Sequence, residues 1–97
     1  MISVLCPTRG RPGNVRRLVR SATGTAAGPL EFVFYIDDDA PGSVPRDVAA
    51  MDGVVVVCGP RLVFSDMWNA CFAKASADVL MMAADDFVFR TDRKTHV

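Results

Sequence analysis

Ile2-Ser3-Val4-Leu5-Cys6-Pro7-Thr8-Arg9-Gly10-Arg11-Pro12-Gly13-Asn14 opens the chain and decides how the rest is read. Ile2 to Cys6 is a continuous apolar, β-branched run stopped by Pro7, the pattern of a strand buried on both faces. Pro12-Gly13-Asn14 then starts a helical period. Val15, Leu18, Val19 and Ala22 share one face and Arg16, Arg17 and Arg20 the other, until Gly24 and Gly28-Pro29 end it. A buried strand passing through a short loop into an amphipathic helix is the first half of a parallel crossover, so an α/β sheet is expected.

The same alternation continues downstream. Phe32 to Ile36 is a second buried-type strand and runs into Asp37-Asp38-Asp39-Ala40-Pro41-Gly42. Pro45 to Met51 has room for one or two helical turns, with Pro45 in the first turn, where its missing N–H costs nothing. Val54 to Cys58 is the third strand. Beyond Gly59-Pro60, Ser65 or Asp66 can cap a helix whose Met67, Trp68, Cys71, Phe72 and Ala75 recur at helical spacing, with Phe64 stapling its start. Val79 to Ala83 is the fourth strand and again reads as buried. The expected fold is α/β, a Rossmann-like three-layer sandwich on a mainly parallel four-stranded sheet with right-handed crossovers.

Ninety-seven residues suit one domain with one modest core, and 51% apolar against 23% charged residues is ordinary globular composition. The formal net charge is zero, with five of the eleven basic residues gathered between Arg9 and Arg20 and not interleaved with aromatics, which speaks against bulk nucleic-acid binding. Cys6, Cys58 and Cys71 are odd in number and sit in apolar segments, so they read as reduced core residues and favour a cytoplasmic setting. No charged region precedes the first apolar run, and no run reaches the ~18 apolar residues of a membrane span.

Chemistry-bearing residues fall where strands end. The loop Pro7 to Gly13 offers backbone N–H groups, a helix start and the guanidinium groups of Arg9 and Arg11 to an anion, or else is a tight turn with solvated arginines. Its spacing is neither G-x-G-x-x-G nor G-x-x-x-x-G-K-[ST]. Asp37-Asp38-Asp39 follows strand two, where a carboxylate can accept from ribose hydroxyls or a base N–H, or can be an acidic solvent turn. Arg61 follows strand three and can reach a diphosphate or cap the sheet. Trp68 belongs to the apolar stripe of its helix. Asp85-Asp86 follow strand four and suit a hard divalent cation, which is often held by one or two carboxylates plus substrate phosphates. His96 is a lone residue of the polar end.

Taken in order, Ile2 to Arg11, Glu31 to Asp39 and Val79-Leu80-Met81-Met82-Ala83-Ala84-Asp85-Asp86-Phe87-Val88-Phe89 resemble a family 2 glycosyltransferase of the GT-A fold, over residues 2 to 91. The resemblance implies a nucleotide-sugar-binding half domain over 1–91, with a polar, disordered tail at 92–97. It implies nucleotide contacts from Pro7, Thr8, Arg9 and Arg11, and base and ribose contacts from Asp37 and Asp38, with Asp39 a bystander. It also implies manganese or magnesium on Asp85 and Asp86, in the place of a D-x-D motif whose first aspartate is here Ala83 or Ala84. The expected ligand is a nucleotide-diphospho-sugar, held at one end of a domain without the family's acceptor half and its catalytic base. With that half missing, strand four has a bare edge beside Phe87-Val88-Phe89, and a homo-oligomer through that edge is expected, as is the alternative of a catalytically silent interaction domain.

Overall fold

The computed structural model describes residues 2–25, 28–60, 64–77 and 79–84. Eight elements follow one another: β1 (Ile2–Thr8), α1 (Pro12–Thr25), β2 (Leu30–Asp37), a 3-10 turn (Pro41–Ser43), α2 (Arg46–Ala49), β3 (Val54–Gly59), α3 (Phe64–Lys74) and β4 (Val79–Met82). The strands form one sheet in the order β3-β2-β1-β4, and every neighbouring pair is parallel. This is the expected α/β, Rossmann-like architecture. The chain adds strands in one direction from β1 to β3, then returns across the sheet through α3 to place β4 on the far side of β1. The order therefore reverses between β1 and β4, and open parallel sheets hold ligands at the carboxyl ends beside such a reversal.

Two cores flank the sheet. On one side Val15, Leu18, Val19 and Ala22 of α1 pack on Val4, Cys6, Phe32, Phe34 and Ile36, joined by Val44 and Val48 from the α2 region. On the other, Cys71 of α3 packs with Leu5, Val33 and Tyr35, and Met67 and Trp68 lean against them. The α1 face predicted from spacing is the buried face, and Trp68, partly buried, packs against the second core on the apolar stripe of its helix.

β1, β2 and β3 run one to two residues further than the apolar runs foretell, whereas β4 stops at Met82, one residue short of the expected Ala83. Pro7 lies inside β1, opposite Tyr35. The Ala83 N–H donates to the Leu5 carbonyl, so odd residues of β1 turn their hydrogen-bonding groups toward β4. The missing N–H of Pro7 thus points past Met82, where β4 has already ended, and the strand loses no ladder bond.

Four expectations need correction. The apolarity of β4 does not mean burial: Val79, Leu80, Met81 and Met82 are 37 to 64% exposed, because among the described residues β4 is the outermost strand of the sheet. Phe72 is 61% exposed, one residue and hence about 100° around the helix from buried Cys71. Cys58 is also exposed, while Cys6 and Cys71 are buried, and all three are free thiols. Burial pushes the Cys71 thiol up to about 11. Asp66 lies within the first turn of α3, which begins at Phe64, rather than before it.

A polar clamp fastens β4's approach to the sheet. Glu31 accepts from the Ser3 hydroxyl at 2.7 Å, the Ser76 N–H at 2.9 Å and the Ser76 hydroxyl at 2.7 Å, and Ser3 Oγ in turn accepts from the Ala77 N–H at 3.2 Å. Burial opposes ionisation of Glu31, but these hydrogen bonds outweigh it and hold its pKa below the ordinary value of 4.5. A carboxyl depressed on folding contributes stability above its unfolded pKa and loses it as pH falls through the folded value. Glu31→Gln is therefore expected to cost on the order of 1 kcal/mol at pH 7, with the gap to the parent closing below about pH 4. Urea midpoints at pH 7 and pH 3 measure it; a gap that stays constant would contradict the clamp.

Candidate functional site at the carboxyl edge of β1 and β2

β1 and β2 are adjacent and in register, with Thr8 opposite Ile36, so their carboxyl ends deliver the Arg9 loop and the Asp37 turn side by side. Asp37 is the last residue of β2, not a turn residue, and is only 4% exposed. Its backbone carbonyl accepts from the Ala40 N–H at 3.0 Å, which starts the turn, and the Asp38 N–H donates to the Gly59 carbonyl at 2.8 Å, which carries the β2–β3 pairing one residue further.

Arg9 bridges the two loops. Its NH1 donates to Asp37 Oδ2 at 2.7 Å and also to Asp39 Oδ1, while NH2 donates to Asp39 Oδ2 at 3.1 Å. The hydrogen bonds to Asp39 and Asp37 push the guanidinium pKa further up, keeping it charged. The three bonds take three of the five N–H donors of the fork. The sequence reading makes Arg9 a phosphate ligand and Asp39 a bystander; in the structure Asp39 is the two-pronged partner of Arg9, and the guanidinium offsets the like charges of Asp37 and Asp39. Asp38 is exposed.

Asp37 Oδ1 is buried and accepts no hydrogen bond among the described residues. Buried carboxylate oxygens are nearly always satisfied, because an unmet acceptor pays its full desolvation cost.

The scaffold behind this pair was not legible beforehand. Ser43, 1% exposed, accepts from the Gly10 N–H at 2.8 Å and donates to the Ala40 carbonyl at 2.7 Å, so one hydroxyl stitches the β1 loop to the β2 turn. Gly10 reaches it with φ of +66°, a left-handed conformation that glycine adopts without strain. On the next strand, the Tyr35 hydroxyl donates to the Pro60 carbonyl and fixes where the β3 loop departs. Burial, with Asp37 and Asp38 adding, pushes the Tyr35 pKa up and keeps the hydroxyl a donor. A Cβ on Gly59 would stand 2.7 Å from that hydroxyl, so only glycine leaves it room. Only the buried serine in Pro41-Gly42-Ser43 carried a hint of this, since short hydroxyl residues in turns commonly bond nearby backbone.

Of the other predicted residues, Pro7 and Thr8 are buried at the end of β1, and Arg11 is exposed where its carbonyl accepts from the Val15 N–H at the start of α1. Arg61, Asp85 and Asp86 lie outside the described residues, as do Phe87-Val88-Phe89, His96 and the 92–97 segment. Ala83 is buried and Ala84 is the last residue described, placing the chain at the β1–β4 reversal immediately before Asp85. Among the described residues no group of three His, Cys, Asp or Glu is placed to hold a metal ion, and no helix is long and apolar enough to cross a membrane. No protein-family model matches the chain, and no curated protein matches it.

Proposed function

We propose that this domain binds a nucleotide-diphospho-sugar at the carboxyl edge of β1 and β2, as the donor-binding half of a family 2 glycosyltransferase-like fold. The observation that carries the proposal is Asp37, a buried carboxylate at a strand end whose Oδ1 has no partner among the described residues. A base N–H or ribose hydroxyl supplies the donor it needs, and exposed Asp38 beside it suits a second sugar hydroxyl. Arg9, already ionised and positioned by Asp37 and Asp39, keeps two N–H donors for the diphosphate. Pro7, Thr8, Arg11 and Arg61 complete the nucleotide set in this reading.

The cation belongs to the proposal too: Asp85 and Asp86 would hold manganese or magnesium, which offsets diphosphate charge as a Lewis acid. Glycosyl transfer itself needs an acceptor-side base that the proposal does not place in these residues. Free thiols at Cys6, Cys58 and Cys71 agree with a reducing, cytoplasmic setting. Calorimetric titration with UDP and with GDP, each with and without manganese, tests the reading. Metal-strengthened binding of one of them is expected; no heat from either at millimolar concentration sinks it.

A second reading is favoured by β4. Val79, Leu80, Met81 and Met82 are exposed apolar residues on the outermost strand of the described sheet, and such an edge pairs with another strand. We propose a second copy as that strand, giving a homodimer with one continuous sheet. Light scattering at high concentration should report twice the chain mass of 10.5 kDa, and a clean monomer refutes it.

A further inference from the structure

The outer face of α1 is strongly cationic in a chain of zero net charge. All acidic residues lie at or after Glu31, whereas Arg9, Arg11, Arg16, Arg17 and Arg20 precede it. Because Val15, Leu18, Val19 and Ala22 face the core, the arginines of α1 face outward. Arg16 is engaged by Asp47, at 2.8 and 3.3 Å. Among the described residues no carboxylate pairs with Arg17 or Arg20. Side chains on a helix form ridges along i, i+4 rows. Here Gly13-Arg17-Ser21 make one row and Arg16-Arg20 the next, and an open hollow of about 450 Å³ lies along them. Gly13, with nothing within 4 Å of the position of a Cβ, leaves the hollow's upper end clear.

We infer that this face of α1 docks the protein on an anionic lipid bilayer, with lipid phosphates seated between Arg17 and Arg20. Charge complementarity selects an anionic partner, and what the patch lacks selects the bilayer. A single-stranded nucleic acid needs aromatic platforms for its bases, and the exposed residues of α1 include none. A protein partner needs aromatic or apolar anchors in the centre of its interface, and those are absent as well. An anionic bilayer needs neither, since mobile headgroups gather under cations and each arginine near the surface adds to the attraction. The apolar side of α1 is spent in the core, so the contact is electrostatic docking without insertion. Binding through the three arginines of this face, Arg16, Arg17 and Arg20, is expected at several millimolar accessible lipid, and it weakens as added salt shortens the Debye length below about 8 Å. The inference goes beyond nucleotide binding and stands without it.

Sedimentation of the full chain with phosphatidylcholine vesicles, with and without one quarter phosphatidylserine, tests it. Binding only to the phosphatidylserine vesicles, lost in 0.5 M salt, is the expected result. Arg17→Ala with Arg20→Ala should weaken it about 30-fold while leaving the circular dichroism spectrum and melting point unchanged. Gly24→Arg, which extends the Arg16-Arg20 row at an exposed helical position, should strengthen it about fivefold. Equal binding to both vesicles would assign the contact to the apolar β4 edge and overturn the inference. So would no binding to either, an unchanged Gly24→Arg variant, or tighter binding to a single-stranded oligonucleotide.

Discussion

Phe34→Ala is expected to remove about 3 to 5 kcal/mol of stability. Phe34 lies at the middle of β2, a strand paired on both sides, and is fully buried. Its ring stacks on Phe32 at 6.1 Å between centroids and packs into the core beneath α1. Truncation loses the transfer free energy of the ring and leaves a cavity walled by strands that cannot move together without breaking register. A domain of this size holds only about 5 to 15 kcal/mol in total. With a urea slope of roughly 1.5 kcal/mol/M, the midpoint should fall by about 2 to 3 M. Phe34→Leu, which keeps most of the volume, should lose less than half as much. A shift below about 0.5 M for the alanine variant would mean that α1 does not close over β2.

Phe34 was legible because its burial comes from a local pattern, a continuous apolar run flanked by polar turns. The same holds for Val15, Leu18, Val19 and Ala22, whose helical spacing alone names the inward face. β4 shows where the pattern stops informing. Val79-Leu80-Met81-Met82 has the composition of a buried strand, yet its exposure follows from its place at the sheet edge, a property of topology that no window of residues contains. The site divides in the same way. Strand ends rich in carboxylates and arginines marked Arg9, Asp37 and Asp38 as candidates. That Arg9 bridges Asp37 and Asp39 depends on the register of β1 with β2, across 28 and 30 residues of chain. Ser43 is further removed still, since a buried serine in a turn is common and only the approach of Gly10 makes this one a fastening point.

Asp37→Asn should weaken nucleotide binding about 10- to 100-fold, the loss expected when a charged acceptor of a ligand hydrogen bond becomes a neutral amide. The same change should leave the melting point equal to or above the parent's, and that opposite movement is what separates a ligand-facing group from a structural one. In the parent, Asp37 keeps a buried carboxylate with one oxygen unmet among the described residues, which is a stability cost. Asparagine has nearly the same shape and no charge to desolvate, so the cost falls. Arg9 is not stranded by the change: it retains Asp39 on two nitrogens, and its side chain is 43% exposed to water. Domains tolerate such a residue where binding repays the stability it costs. Calorimetry with the nucleotide that the parent binds, run beside thermal melts of both proteins, reads the two quantities separately. Affinity and melting point falling together would make Asp37 a brace for the Arg9 loop. Unchanged affinity would remove Asp37 from the ligand's contacts and take the principal support from the nucleotide reading.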